Sequence, residues 1–197
     1  MIQGNIALHI SVVTYDTPLK TLRSTLESVT AAVKELQRVE PSISVSSTLV
    51  DNGEDNCIDP GEFKSLQSTF EVATLKLHLM IGHGNVGYGR GQNMAFFAKR
   101  STYHLFMNPD VELDPDCLVE GISYLKTHRD VGIASPNARN YDGEKQFLCK
   151  QYPTIFILMV RGFIPKRFRG IFRKQARYYE MQNLSELVPT KRIPIVG

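Results

Sequence analysis

Leu105-Phe106-Met107-Asn108-Pro109-Asp110 is an apolar run that stops abruptly at Asn-Pro-Asp. Proline lacks the N–H that a sheet ladder needs, so a strand carrying this run must end at Pro109. Asp110 is then presented at a strand's carboxyl edge, where open α/β sheets bind their ligands. Working outward, Ile6 to Thr14 is a β-branched run suited to a buried strand. Ile43 to Asp51 reads as a second strand, Ala73 to Ile81 as a third and Tyr103 to Asn108 as a fourth. Leu19, Leu22, Leu26, Val29, Val33 and Leu36 recur every three or four residues, the pattern of an amphipathic helix. Thr17 is its expected N-cap, with Pro18 at the first helical position. Gly91 to Arg100 reads as a short helix, and Asp114-Pro115 opens another with Leu118, Ile122 and Leu125 on its buried face. Strand and helix alternate, which implies parallel pairing with right-handed crossovers. The expected fold is α/β: a Rossmann-like, mostly parallel sheet flanked by helices.

After Pro136 the pattern changes. Tyr141-Asp142-Gly143-Glu144 reads as a hairpin turn between 137–140 and 145–150. From Tyr152 the chain is aromatic, basic and broken by Pro153, Pro165, Pro189 and Pro194. The expected organisation is a ligand-binding domain over 1–153 and a basic, aromatic segment over 154–197.

The chain of 197 residues has 23 basic and 20 acidic side chains, a net charge of +3. Seven of the basic residues lie between Arg161 and Arg177 with no acid among them, leaving 16 against 20 elsewhere, a net −4. The protein therefore reads as a mildly acidic body with a basic segment near its end. Phe156, Val160, Phe163 and Phe168 interleave with Arg161, Lys166, Arg167 and Arg169 there. Such a mixture suits either a peripheral contact with an anionic membrane or packing of its apolar side on further protein. Nothing else in the sequence points to nucleic acid. Cys57, Cys117 and Cys149 are odd in number and scattered, which fits a reducing compartment rather than a disulfide framework. No basic leader precedes the first strand, and the longest strictly apolar run, Ile155 to Val160, is too short to cross a bilayer. These features lead to an expectation of a cytoplasmic protein.

Three motifs fall in order along the chain: Val50-Asp51-Asn52-Gly53, the glycine-rich Gly84-Asn85-Val86-Gly87-Tyr88-Gly89-Arg90-Gly91-Gln92-Asn93, and Asn108-Pro109-Asp110. Glycines at 84, 87, 89 and 91 permit positive φ and close backbone approach, and the helix that follows aims its amino end at bound anions. Arg90 could add a charge-assisted bond to phosphate. A dinucleotide-binding fingerprint would follow the first strand, not the third, and would end on glycine where Asn93 stands. His83, beside the turn, reads as a surface or capping histidine.

Together the motifs resemble glycosyltransferase family 2, with its GT-A nucleotide-sugar fold, and the Asn-Pro-Asp variant most resembles the rhamnosyltransferase-like branch. The resemblance implies an inverting, metal-dependent glycosyltransferase. Its donor would be a dTDP- or UDP-sugar, dTDP-rhamnose being one candidate. Its acceptor would be a hydroxyl of a glycan or lipid-linked sugar, in surface-polysaccharide (lipopolysaccharide) biosynthesis. It implies Asp110 as ligand to Mg²⁺ or Mn²⁺, with Asn108 where many members carry a second acid. It carries Asp51 across as a contact to the base or ribose, where a carboxylate accepts from the ring N–H of uracil or thymine. Thr14-Tyr15-Asp16 matches the opening nucleotide-contact segment, with Thr14 and Tyr15 as the contacts, and Asn85, Gly87, Tyr88, Gly91 and Asn93 match the donor-pocket segment. The match is good over 7–153 and looser at 193–197. The family's acceptor-binding half, with its general base, would follow that last segment, and neither Glu180 nor Glu186 has the context of the base. Two alternatives stay open: an inactive, truncated remnant that still binds nucleotide, and a nucleotidyltransferase that uses a triphosphate.

Overall fold

The computed structural model describes residues 6–54, 58–71, 75–140 and 142–146, together with Thr154, Ile155, Met159 and Lys174. The chain divides into two compact units, Met1–Lys126 and Thr127–Gly197. In the first unit, strands β1 (Ala7–Thr14), β2 (Ser44–Asp51), β3 (Lys76–Met80) and β4 (Tyr103–Met107) form a parallel sheet in the order β3-β2-β1-β4. Helices α1 (Leu19–Val39), α2 (Pro60–Glu71) and α3 (Tyr88–Ala98) connect successive strands, and α4 (Cys117–Thr127) follows the last. The expected α/β architecture is therefore present.

Alternation along β1 sorts the core. Leu8, Ile10 and Val12 point into one cluster with Leu22, Leu26, Val29, Val33 and Leu36 of α1, Leu66 of α2, and Leu118 and Ile122 of α4. Val13 points the other way, onto Val50 of β2 and Ala95 of α3. The first cluster is the larger store of apolar burial, at roughly 1.5–3 kcal/mol for each fully buried large side chain.

Two local expectations change. Helix α1 begins at Leu19, with Pro18 as the boundary residue at φ −54°, ψ 131° and no side-chain cap. Pro18 is extended in ψ, so it stands outside the helix, and Thr17 does not cap it; the Pro18 carbonyl instead accepts from Leu22 N at 3.1 Å. Helix α3 starts at Tyr88 rather than Gly91, with Gly87 at φ 81° before it. Helix α2 was not expected at all. Its start is nonetheless legible: Asp59 Oδ1 accepts from Gly61 N and Glu62 N (2.6 and 3.0 Å), and Glu62 Oε2 accepts from Asp59 N at 3.2 Å. That is a reciprocal cap around Pro60 at the first helical position.

In the second unit, β5 (Ala138–Arg139) and β6 (Lys145–Gln146) pair antiparallel, with Arg139 opposite Lys145. The turn between them closes with Gly143 at φ 80° and its N–H donated to Asn140 O at 2.9 Å. The hairpin is thus where the sequence placed it, with shorter strands among the described residues. The alternating basic and aromatic stretch, apart from Lys174 and Met159, lies outside the described residues, as do Cys57, Cys149, Glu180 and Glu186. No helix among the described residues is long and apolar enough to cross a membrane.

Candidate ligand-binding cleft

The strand order reverses at β1, whose successor β2 lies on one side and whose other neighbour, β4, comes last. A crevice opens outside the carboxyl ends of such strands, because the loops leave in opposite directions. Here a cleft of about 560 Å³ lies at that point. The loop after β1 lines it with Thr14, Tyr15 and Asp16, and the loop after β4 with Asn108, Pro109 and Asp110. Asn85 and Tyr88 close it from the start of α3, and Asn52 from the end of β2.

Each wall is held by identifiable bonds. Thr25 of α1 donates its hydroxyl to Pro109 O at 2.8 Å, and Leu113 N donates to Ser28 Oγ at 3.0 Å. Two α1 hydroxyls therefore clamp the loop that presents Asp110. Asn85 Oδ1 accepts from Gly87 N at 3.0 Å, which fixes the turn entering α3. Asn52 N donates to Thr14 O at 2.9 Å and ties the ends of β1 and β2 together. Asp16 sits at φ 52°, a left-handed conformation that aspartate tolerates better than most residues and that turns the chain sharply out of β1.

Beneath the cleft runs a polar seam. Gln92, 4% exposed, accepts from Ser11 Oγ at 2.5 Å and donates to Tyr88 OH at 3.0 Å and Met107 O at 3.3 Å. Ser11 Oγ also lies 2.8 Å from His104 Nε2, and with the hydroxyl proton given to Gln92, His104 is the donor there. His9 Nδ1 meets Ser46 Oγ at 2.8 Å. Burial lowers the pKa of both histidines to about 4, helped at His9 by His104, Lys99 and His78. Both are neutral near pH 7. Gln92 thus links the seam to the Tyr88 ring in the cleft.

Of the residues singled out in the sequence, Thr14, Tyr15, Asn85, Tyr88, Asn108 and Asp110 come together in this cleft. Asp51, Gly87, Arg90 and Asn93 are not among its lining residues. Arg90 and Asn93 are exposed on α3, and Gly87 is the residue before that helix. Asp51 is buried, its Oδ1 accepting from Gly53 N at 2.9 Å and its Oδ2 from Ile58 N at 3.1 Å. In this structure its carboxylate holds its own loop. Asp16, the end of the segment matched at Thr14 and Tyr15, lines the cleft with them, and Thr21 and Asn52 line it without having been foreseen. Asn52 directly follows β2, a position that could have marked it.

Among the described residues the charged ones lining the cleft are Asp16 and Asp110, with no lysine or arginine in the lining. Hard oxygen donors of this kind, with the Asn108 amide, suit Mg²⁺ or Mn²⁺. A diphosphate entering an acidic cleft would be repelled without a cation between them. An ion here would draw on those two carboxylates and the amide, since no cluster of three or more His, Cys, Asp or Glu side chains that could hold a metal occurs among the described residues.

No protein-family model matches the chain, and no curated protein does. Among solved structures it is similar to the crystal structure of S. aureus TarS 1-349, at 14% identity and a TM-score of 0.48. The match covers 79% of this chain and 44% of that one, so this chain spans less than half the length of that structure. At that level the likeness decides nothing about a reaction.

Proposed function

We propose that the cleft binds a nucleoside-diphosphate sugar and that the protein is a glycosyltransferase of the inverting kind, using a dTDP- or UDP-sugar and a glycan or lipid-linked hydroxyl acceptor. The observation that carries this reading is the meeting of Asp110, Asn108 and the amino end of α3 at the strand-order reversal. That site offers a planar base two aromatic surfaces, Tyr15 and Tyr88, both about half exposed. It offers an anion the free N–H groups of the first turn of α3. Asp110 and Asp16 are the residues that would hold Mg²⁺ or Mn²⁺, and such an ion, when bound, offsets the charge of the departing diphosphate. Clamping by Thr25 and Ser28 keeps the Asp110 loop in place before the ligand arrives, which lowers the ordering cost of binding. Rhamnose as the sugar follows from the motif resemblance, and a peripheral role at the inner face of the plasma membrane from the basic, aromatic segment between Arg161 and Arg177 together with that resemblance.

Calorimetric titration with dTDP and UDP, with and without Mn²⁺, tests the reading. Wild-type protein should bind one of them with Mn²⁺ present. Asp110→Ala should weaken that binding by about 10-fold or more and abolish its dependence on Mn²⁺, as expected for loss of a charge-assisted contact. An unchanged Mn²⁺ dependence removes Asp110 from the site. Binding without sugar transfer would instead favour a nucleotide-binding remnant.

A further inference from the structure

We infer that Asn52 reads the ligand of this cleft by donating its side-chain N–H to a ligand oxygen, and that His83 fixes the direction of that amide. The inference rests on the nucleotide-sugar reading of the same cleft and assigns within it a recognition residue that the sequence motifs did not supply. Asn52 is 2% exposed yet lines the cleft. Its Oδ1 lies 3.0 Å from His83 Nε2, so the oxygen accepts from the imidazole N–H. Its backbone N–H is committed to Thr14 O. Its Nδ2 has no hydrogen-bond partner among the described residues. Among the described residues the enclosed polar atoms left without a partner are His9 Nε2 and His104 Nδ1, so Nδ2 meets the solvent of the cleft, where a ligand oxygen can replace water as its acceptor.

Four neighbours make the arrangement specific. Asp51, one residue earlier, spends both carboxylate oxygens on Gly53 and Ile58 and does not line the cleft. Gly82 and Gly84, at φ 83° and 62°, fold the chain back on either side of His83, a turn that side chains at those two positions would strain. A Cβ at Gly91 would press on Val13 at 3.1 Å and touch Asn52 Nδ2 at an ordinary 3.4 Å, so glycine here keeps α3 close against the Val13 side of the cleft. With its oxygen turned to His83, Asn52 presents its side-chain N–H to the ligand. The ligand must bring an oxygen acceptor, either a pyrimidine carbonyl or a phosphate oxygen.

The test is calorimetry of the full chain with Mn²⁺ and, in separate arms, the nucleoside diphosphate, the nucleoside monophosphate and inorganic pyrophosphate. Asn52→Ala should weaken diphosphate binding by roughly 5- to 10-fold, the size of one neutral hydrogen bond. Asn52→Asp keeps the shape and the acceptor for His83 but sets a carboxylate against the ligand oxygen, so it should lose more. His83→Ala should lose about as much as Asn52→Ala, whereas His83→Gln, whose amide N–H can still donate, should recover most of it. That recovery separates positioning from a merely structural role, and thermal melts confirm that each variant folds. A loss shared by the monophosphate but not by pyrophosphate places the acceptor on the base. A loss with pyrophosphate places it on the phosphates. If wild type binds and both Asn52 variants bind equally well, the inference fails while the nucleotide reading stands. If wild type binds no nucleoside diphosphate, the reading itself fails and takes the inference with it.

Discussion

The two faces of β1 differ sharply for residues one position apart. Leu8, Ile10 and Val12 enter a dry cluster closed by α1, α2 and α4. His9, Ser11 and Val13 face α3, where a hydrogen-bonded seam replaces most of the apolar packing. At the outer end of that seam rings remain open to solvent: Phe97 is 78% exposed, and His104 stacks on Phe106 with centroids 4.3 Å apart. The difference separates two jobs within one sheet. The dry face supplies stability, while the polar face fixes side chains that reach the cleft through Gln92 and Asn52.

The largest expected effect belongs to the dry face. Leu26, 1% exposed, sits in the middle of α1's buried stripe. Leu26→Ala should cost about 2–5 kcal/mol in denaturant unfolding, because the cavity it leaves is walled by well-packed neighbours. Ligand affinity, corrected for the unfolded fraction, should barely move. A large affinity loss in the folded population would break the division between the faces.

The next effect belongs to the polar face and depends on pH. His9 and His104 have folded pKa values near 4, below the ordinary 6.5. Between those values the unfolded chain binds more protons than the folded one, so stability falls as pH drops. The contribution is whole above about pH 6.5, is lost progressively down to about pH 4, and changes no further below that. Unfolding midpoints across this window should show the decline, and His9→Gln with His104→Gln should flatten it. A slope that survives both substitutions would place the acid sensitivity elsewhere.

The dry face was legible in the sequence because it obeys periodicity: every leucine and valine of the α1 stripe is at least partly buried. The polar face was less so. Its cleft residues lie at strand ends, where motif order found Tyr15, Tyr88, Asn108 and Asp110 together. Motif order could not show that Asp51 turns its carboxylate onto Gly53 and Ile58, since both donors lie in a loop whose path has no periodic signal. Nor could it pair Asn52 with His83, 31 residues apart and joined only by the parallel packing of β2 and β3. Thr25 and Ser28 were hidden differently. They sit within an amphipathic helix, where hydroxyls read as neutral filler, and their bonds to the Asp110 loop exist only in three dimensions.

The smallest expected change in stability is also the most discriminating between the faces. Gly91 lies in the first turn of α3, where alanine should gain up to ~1 kcal/mol of helix propensity. Its new Cβ would meet the two Val13 methyls at 3.1 and 3.2 Å, closer than side chains normally sit, and Asn52 Nδ2 at 3.4 Å. Overpacking of this kind costs about 1–3 kcal/mol, so the net change in unfolding free energy should be small, about 0–2 kcal/mol. The side chain that must give way, however, is Val13, which lines the cleft together with Asn52. Gly91→Ala should therefore weaken nucleotide binding out of proportion to its effect on stability, the reverse of Leu26→Ala. Equal proportions in the two variants would mean that the faces are one cooperative core rather than a support and a site.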